Sequence, residues 1–238
     1  MLLQAALNGP FTKADHPAMP LSVEELANDA ADCVMAGARA VHLHPRDAGG
    51  FESLDAEVVD GVVAAVRSRC QVPVGVTTGA WIVPDLDHRI ALVRAWSQPD
   101  YASVNMSEPG AADVMRALID AGVGIEAGVW SVEDAELLGA TGLAHRITRV
   151  LVEPVDVRAD DAVKTVDAIH AALDRTGITA PRLEHGDGEA AWVLVAHAIQ
   201  QRGDTRIGLE DTTLGPDGTQ AAGNAELVRT ARALGAGE

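Results

Sequence analysis

Residues 40–50 read AVHLHPRDAGG, an apolar run that ends in two histidines one residue apart, followed by Pro45, Arg46 and Asp47. In a β-strand residues i and i+2 leave the same face, so His42 and His44 project their imidazoles side by side. Rings so placed suit a metal ion; the alternative is a polar strand end with two separately hydrogen-bonded histidines. The run is preceded by SVEELANDAADCVMAG (22–37) and followed by LDAEVVDGVVAAVRSRC (54–70), both patterned as amphipathic helices. Ser22 and Glu25 form the S-x-x-E pattern of a capping box at the start of the first.

The same unit recurs on both sides. Strand-like runs are LLQAALNG (2–9), AVHLHPRD (40–47), VPVGVTTG (72–79), YASVNM (101–106), GIEAGVW (124–130), ITRVLVEPV (147–155), PRLEHG (181–186) and TRIGLED (205–211). Further helical patterns fill 87–97, 111–122, 131–142, 160–177, 189–203 and 224–237, with Gly37, Gly122, Gly177 and Gly203 as stops. Strand and helix alternate eight times without a linker or a change in composition. This predicts an α/β fold, a (β/α)8 TIM barrel forming a single domain over residues 1–238, with a doubly wound open sheet as the alternative. The segments share no sequence repeat, which argues against a solenoid.

Composition narrows the function classes. Hydrophobic residues make up 47% and charged residues 22% of the chain, as in ordinary globular proteins. A formal charge of -17 argues against nonspecific nucleic-acid binding and anionic membrane surfaces, and 3% aromatics offers few platforms for stacking bases. No apolar run is long enough to span a bilayer and MLLQAALNGP lacks a basic n-region, so a cytoplasmic location is expected. Cys33 and Cys70 fall in helical patterns and read as small buried apolar residues.

A barrel of this kind builds its active site at the C-terminal strand ends. There the chain places Asn8, His42, His44, Arg46, Asp47, Thr77, Thr78, Asn105, Glu126, Glu153, Glu184, His185, Glu210 and Asp211, whereas the strand starts read as mostly apolar. In TRIGLED, period two puts Arg206, Gly208 and Glu210 on one face, and closure of the barrel brings strand eight close to strand two. Two histidines and a carboxylate, with a position left for water or substrate, form an open zinc site or an Fe(II) facial triad. The competing use of Glu210 and Asp211 is an N-cap or a rim ion pair with Arg206. TTGAW offers hydroxyls and a close backbone approach for an anion, EHGDGEA resembles an anion-binding turn, and His16 could line the mouth. His88, His170 and His197 lie in helices and read as structural.

The stretches NGPFTKADHPAMPLSVEELANDAADCVMAGARAVHLHPRD, VTTGAW, ASVNM and TRIGLED closely resemble the β-keto acid cleavage enzymes, and the resemblance runs in order along nearly the whole chain. It implies a zinc-dependent barrel that reacts a β-keto acid with acetyl-CoA to give acetoacetate and a new acyl-CoA. By motif, it implies that His42, His44 and Glu210 hold the zinc and that Arg206 and Asp211 are the polar catalytic pair. It further implies that Thr77, with Thr78, Ser103 and Asn105, binds substrate, and that the protein is a homo-oligomer, a tetramer. Where the family's best-known member uses a glutamate for a substrate ammonium, this chain has Pro10 and Phe11; a second acidic position reads Gly128. A neutral, apolar or anionic β-keto acid is therefore expected, the anionic case relying on arginines such as Arg46. Two other functions compete: a metal-dependent hydrolase of amidohydrolase type, although GIEAGVW and ITRVLVEPV lack the further histidines, and a non-catalytic metal-containing binding barrel.

Overall fold

The computed structural model describes residues 1–238. Short, mostly β-branched and small-residue runs form the strands β1 (Leu3–Ala6), β2 (Ala40–Leu43), β3 (Val74–Thr77), β4 (Tyr101–Asn105), β5 (Gly124–Val129), β6 (Arg149–Val152), β7 (Arg182–Glu184) and β8 (Asp204–Ile207). Every neighbouring pair is parallel and β1 also pairs with β8, with Gln4 opposite Arg206, so the sheet closes in the order β1 to β8. Seven strands lie inside their predicted stretches and β8 begins one residue earlier, at Asp204; the excess residues belong to the loops that carry the site.

The helices are α1 (Val23–Ala36), α2 (Ala56–Arg69), α3 (Leu86–Arg94), α4 (Ala111–Ala121), α5 (Val132–Ala140), α6 (Ala159–Arg175), α7 (Ala191–Gln201) and α8 (Asn224–Leu234). Their apolar stripes pack on the outward faces of the strands: Val59, Val62, Val63 and Val66 of α2, for example, are all buried. The Ser22–Glu25 capping box is present, a feature that contributes roughly 1 kcal/mol. One stop differs from expectation. α7 ends on Arg202, which itself takes the left-handed conformation at φ 55°, rather than on Gly203. Cys33 and Cys70 are buried and unpaired. No helix is long and apolar enough to cross a membrane.

Inside the barrel the side chains form tiers. The lowest is polar rather than apolar: Gln4 Nε2 donates to Tyr101 Oη (3.0 Å) and to Glu126 Oε1 (2.9 Å), and Arg149 Nε lies 3.3 Å from Glu126. β6, β7 and β8 also begin with Arg149, Arg182 and Asp204, so strand starts are more polar than the sequence pattern suggests. Glu126 is the third residue of β5, not its end; its Oε1 is engaged in this tier and its Oε2 is buried without a partner. Burial, partly offset by Arg149, raises its pKa.

Candidate active site

The mouth is assembled from β2 outward. His42 is inward-facing on β2, and His44 follows just past its end with the same orientation; the rings meet edge-on with centroids 5.4 Å apart. Asn8, fully buried after β1, fixes the second histidine's backbone by accepting from His44 N at 2.8 Å and donating to His44 O at 3.0 Å.

Strand eight delivers its acids differently from the expected alternation. β8 stops at Ile207, and Gly208–Asp211 form a turn in which Asp211 N and Thr212 N both donate to Gly208 O at 2.9 Å. The turn allows the consecutive residues Glu210 and Asp211 both to face the mouth, which an extended strand would forbid. Two glycines make room for it. A Cβ on Gly208 would lie 1.9 Å from Ala6 O, and one on Gly9, whose φ is +51°, would lie 2.7 Å from Glu210 Cγ. The buried Asn224 at the start of α8 holds the turn by accepting from Leu209 N at 2.6 Å and donating to Leu7 O at 2.8 Å.

Glu210 Oε1 lies 3.7 Å from His42 Nε2 and 3.6 Å from His44 Nε2, and it accepts from Arg206 at 2.9 Å. The rim ion pair and the histidine cluster therefore coexist. The ligand atoms of His42, His44 and Glu210 all fall within 4.8 Å of one another, the only such group in the chain. A tetrahedral zinc with ~2.0–2.1 Å bonds needs ligand atoms roughly 3.3 Å apart, close to the spacing present. The donor chemistry also fits. Glu210 Oε2 is buried without a partner. His44 Nδ1 is bound to Glu52 Oε1 at 2.6 Å, which leaves Nε2 to face the cluster. Trp81 stacks on His44 at 6.1 Å and donates to the other oxygen of Glu52 at 3.1 Å.

The charges are set by burial and neighbours. Burial drives the His42 pKa down to about 3, so its ring is neutral and available as a donor. Burial would raise Glu210, but its neighbours, Arg206 foremost, outweigh it and hold the carboxyl well below its ordinary range. Asp211 is pushed up to about 6 by burial, against the opposing pull of Arg206, whose Nε and NH2 donate to Oδ1 at 3.1 and 2.7 Å.

The sequence profile of the beta-keto acid cleavage enzymes matches residues 1–237. The chain belongs to that family. It is 27% identical to 3-keto-5-aminohexanoate cleavage enzyme from Fusobacterium nucleatum over an alignment of 261 positions, gaps included, that covers 99% of this chain and 92% of that protein. Among solved structures, it resembles apo ObcA with a TM-score of 0.70 and 17% identity, over 91% of this chain. A ternary complex of ObcA with a C4-CoA adduct and oxalate gives a TM-score of 0.69 at 18% identity, over 91% of this chain. The chain spans only 61% and 63% of those two ObcA chains. 3-Dehydroquinate dehydratase from Geobacillus kaustophilus HTA426 shares the fold at 12% identity and a TM-score of 0.63, over 98% of this chain and 89% of that one.

Within this family member, a cavity of about 240 Å³ brings together His42, His44, Thr77, Ser103, Asn105, Arg206, Glu210 and Asp211 with Pro10, Phe11, Trp81, Trp130, Leu151, Glu153, Val155 and Asp187. Thr78 is not among them. Past the end of β3 its hydroxyl turns away and donates to Ser103 O at 2.7 Å, so of the two threonines only Thr77 lines the cavity. Arg46 is also elsewhere: its guanidinium donates to Gly50 O, Gly9 O and Phe11 O, bracing the β1 and β2 loops outside the cavity. His16 Nε2 bonds to Ala221 O at 2.9 Å and is structural. Glu184 points outward between α6 and α7, and the EHGDGEA turn carries Asp187 and Glu189 beside its backbone, which disfavours an anion there.

A Cβ on Gly128 would lie 2.8 Å from Asn105 Oδ1, so the glycine makes room for Asn105. Sequence reasoning gave no role to Glu52, Trp81, Trp130 or Asn224. The only signal for Glu52 is its place in the loop that follows the histidine pair, and Asn224 carried none beyond its position at a helix start.

Proposed function

We propose that this chain, as one catalytic domain, is a zinc-dependent β-keto acid cleavage enzyme that uses acetyl-CoA as co-substrate and releases acetoacetate and a new acyl-CoA. The observation that carries the reading is the convergence of His42, His44 and Glu210 beside the Arg206–Asp211 pair at the mouth of a barrel belonging to this family. His42, His44 and Glu210 would hold the zinc ion, which would supply Lewis-acid polarisation to the β-keto acid.

The chain's own residues do the rest. Asp211 presents a carboxylate at the enolisable carbon, and Arg206 fixes its orientation and favours its ionised form. Thr77, Ser103 and Asn105 offer hydroxyl and amide groups along the substrate. A second cavity, of about 780 Å³, opens from the same mouth and shares Phe11, Asp187, Glu210 and Asp211 with the first. It gives the acyl carrier of acetyl-CoA a route to the reacting carbon. In the net exchange the R–CO group of the keto acid passes to CoA and the acetyl group takes its place on the two-carbon remainder. The working form is a homo-oligomer, a tetramer by resemblance to the family.

The substrate side chain is neutral and apolar. Pro10, Phe11, Trp81, Trp130, Leu151 and Val155 line its place, and with Arg46 engaged outside the cavity an anionic end has no arginine of that loop to meet. Glu126 and Glu184 are held in other networks, so Glu153 and Asp187 are the remaining acids that could meet an ammonium. The test is a panel of β-keto acids with acetyl-CoA, scored for acetoacetate and acyl-CoA. Turnover with 3-oxohexanoate exceeding that with 5-amino-3-oxohexanoate is expected. Hydrolysis without acetyl-CoA would instead indicate the hydrolase, and metal binding without turnover the binding barrel.

A further inference from the structure

Resting on the cleavage reading above, we propose that His185 is a positioning residue of the reaction, anchoring the Asp211 carboxylate from behind and tying it to Glu153 across the β6–β8 side of the mouth.

The placement follows from strand geometry. β7 alternates Arg182 and Glu184 outward with Leu183 inward, and His185 N continues the parallel ladder by donating to Val152 O at 3.1 Å, so the His185 ring also faces inward. It is 1% exposed, and neither ring nitrogen has a hydrogen-bond partner. Each nitrogen has a carboxylate beside it: Nδ1 lies 3.7 Å from Asp211 Oδ1 and Nε2 lies 3.5 Å from Glu153 Oε2. A protonated ring nitrogen offers a donor to the carboxylate beside it. Closing the longer gap to hydrogen-bond length needs a movement of ~0.5–0.8 Å. Leaving a buried polar group idle is unfavourable, and an aliphatic residue at this position would avoid that cost. The ring's polarity therefore has a use.

That use is not substrate contact. Glu153 and Asp211 line the reaction cavity and His185 does not; it stands behind both. The hydrogen bonds that hold the Asp211 carboxylate end on Oδ1, from Arg206 Nε and NH2, while Oδ2 is buried and unpartnered. An anchor on Oδ1 from β7 opposes rotation that the β8 arginine alone permits, and so keeps Oδ2 directed at the substrate. Displacement of a reacting group by about 1 Å costs on the order of 10²-fold in rate, so a partial loss of anchoring should be visible in kcat.

The experiment compares His185→Leu, His185→Asn and His185→Gln in the zinc-loaded enzyme, with metal content and melting temperature measured alongside kinetics. Asn keeps a donor at the Nδ1 position facing Asp211, and Gln keeps one at the Nε2 position facing Glu153. The expected result is a kcat lowered by about 10-fold or more in Leu with KM and zinc content near wild type, and clear recovery in Asn but not in Gln. Wild-type kcat in Leu, a change confined to KM, or equal activity of Asn and Gln overturns the proposal. If Leu does not fold, the Asn and Gln pair decides alone. Crystal structures of wild type and His185→Asn or His185→Leu supply a readout free of activity: the Asp211 carboxylate should rotate in Leu and stay in place in Asn, and an unmoved carboxylate in Leu refutes the anchor. If the wild-type protein cleaves no β-keto acid, the cleavage reading falls, and the crystallographic comparison still decides what His185 holds.

Discussion

Two clusters in this barrel have the same composition, two histidines and a glutamate, and their geometry sets them apart. At the mouth, His42 and His44 come from one strand and its extension, and their Nε2 atoms both face Glu210 Oε1 at 3.7 and 3.6 Å. Between α6 and α7, His170 and His197 come from separate helices and take opposite oxygens of Glu184, at 3.3 Å to Oε2 and 2.8 Å to Oε1. The outer glutamate is satisfied by its histidines, whereas the inner one keeps a buried oxygen without a partner. Convergence on a shared point, with unused lone pairs, separates a candidate metal site from a hydrogen-bonded cluster of identical residues.

The comparison breaks most visibly on metal content. His42→Ala or His44→Ala should remove zinc from the purified protein and abolish turnover, whereas His170→Ala should leave both unchanged; elemental analysis checks this. Zinc lost from His170→Ala, or kept in full by His42→Ala, would reverse the assignment. A smaller effect lies beside the inner cluster. Asp211→Asn should keep zinc and fold but lower kcat by about 10²-fold or more, as when a positioned proton-transfer group is removed. Steady-state rates at saturating zinc measure it.

Next in size is the support behind the ligands. Glu52→Gln weakens the 2.6 Å contact to His44 Nδ1, and zinc affinity should fall by about 10- to 100-fold in competition with a chelator, while Glu184→Gln leaves it unchanged. The smallest effect belongs to the outer cluster, whose role is stability. His197→Ala leaves the buried Glu184 without its 2.8 Å partner and should lower unfolding free energy by about 1–3 kcal/mol in urea denaturation, with turnover unaffected at the assay temperature.

Much of this was legible in the chain. The helix and strand periods are local, so the eightfold alternation, the capping box at Ser22 and the shared face of His42 and His44 could be read directly, and the pairing of β1 with β8 decides for the closed barrel over the open sheet that the same alternation allowed. The family motifs, too, lie in contiguous stretches. Period two fails wherever a strand ends, and three assignments turned on that. Glu210 and Asp211 share the mouth because Gly208–Asp211 turn; Thr78 leaves it because β3 has ended; Glu126 lies too deep because β5 has not.

The sequence alone determined which residue types each strand end would offer and in what order around the barrel, because backbone sterics and hydrophobic patterning act over a few residues. Tertiary structure alone decided which polar groups remain unspent. The Arg46 NH2 group is taken by carbonyls of Gly9 and Phe11, His16 Nε2 by Ala221, and Glu184 by two helices, whereas Glu210 and Asp211 each keep a buried oxygen without a partner at the mouth. The physical reason is that a side chain's availability depends on the donors and acceptors that folding brings to it from residues distant in sequence, and no local pattern records those.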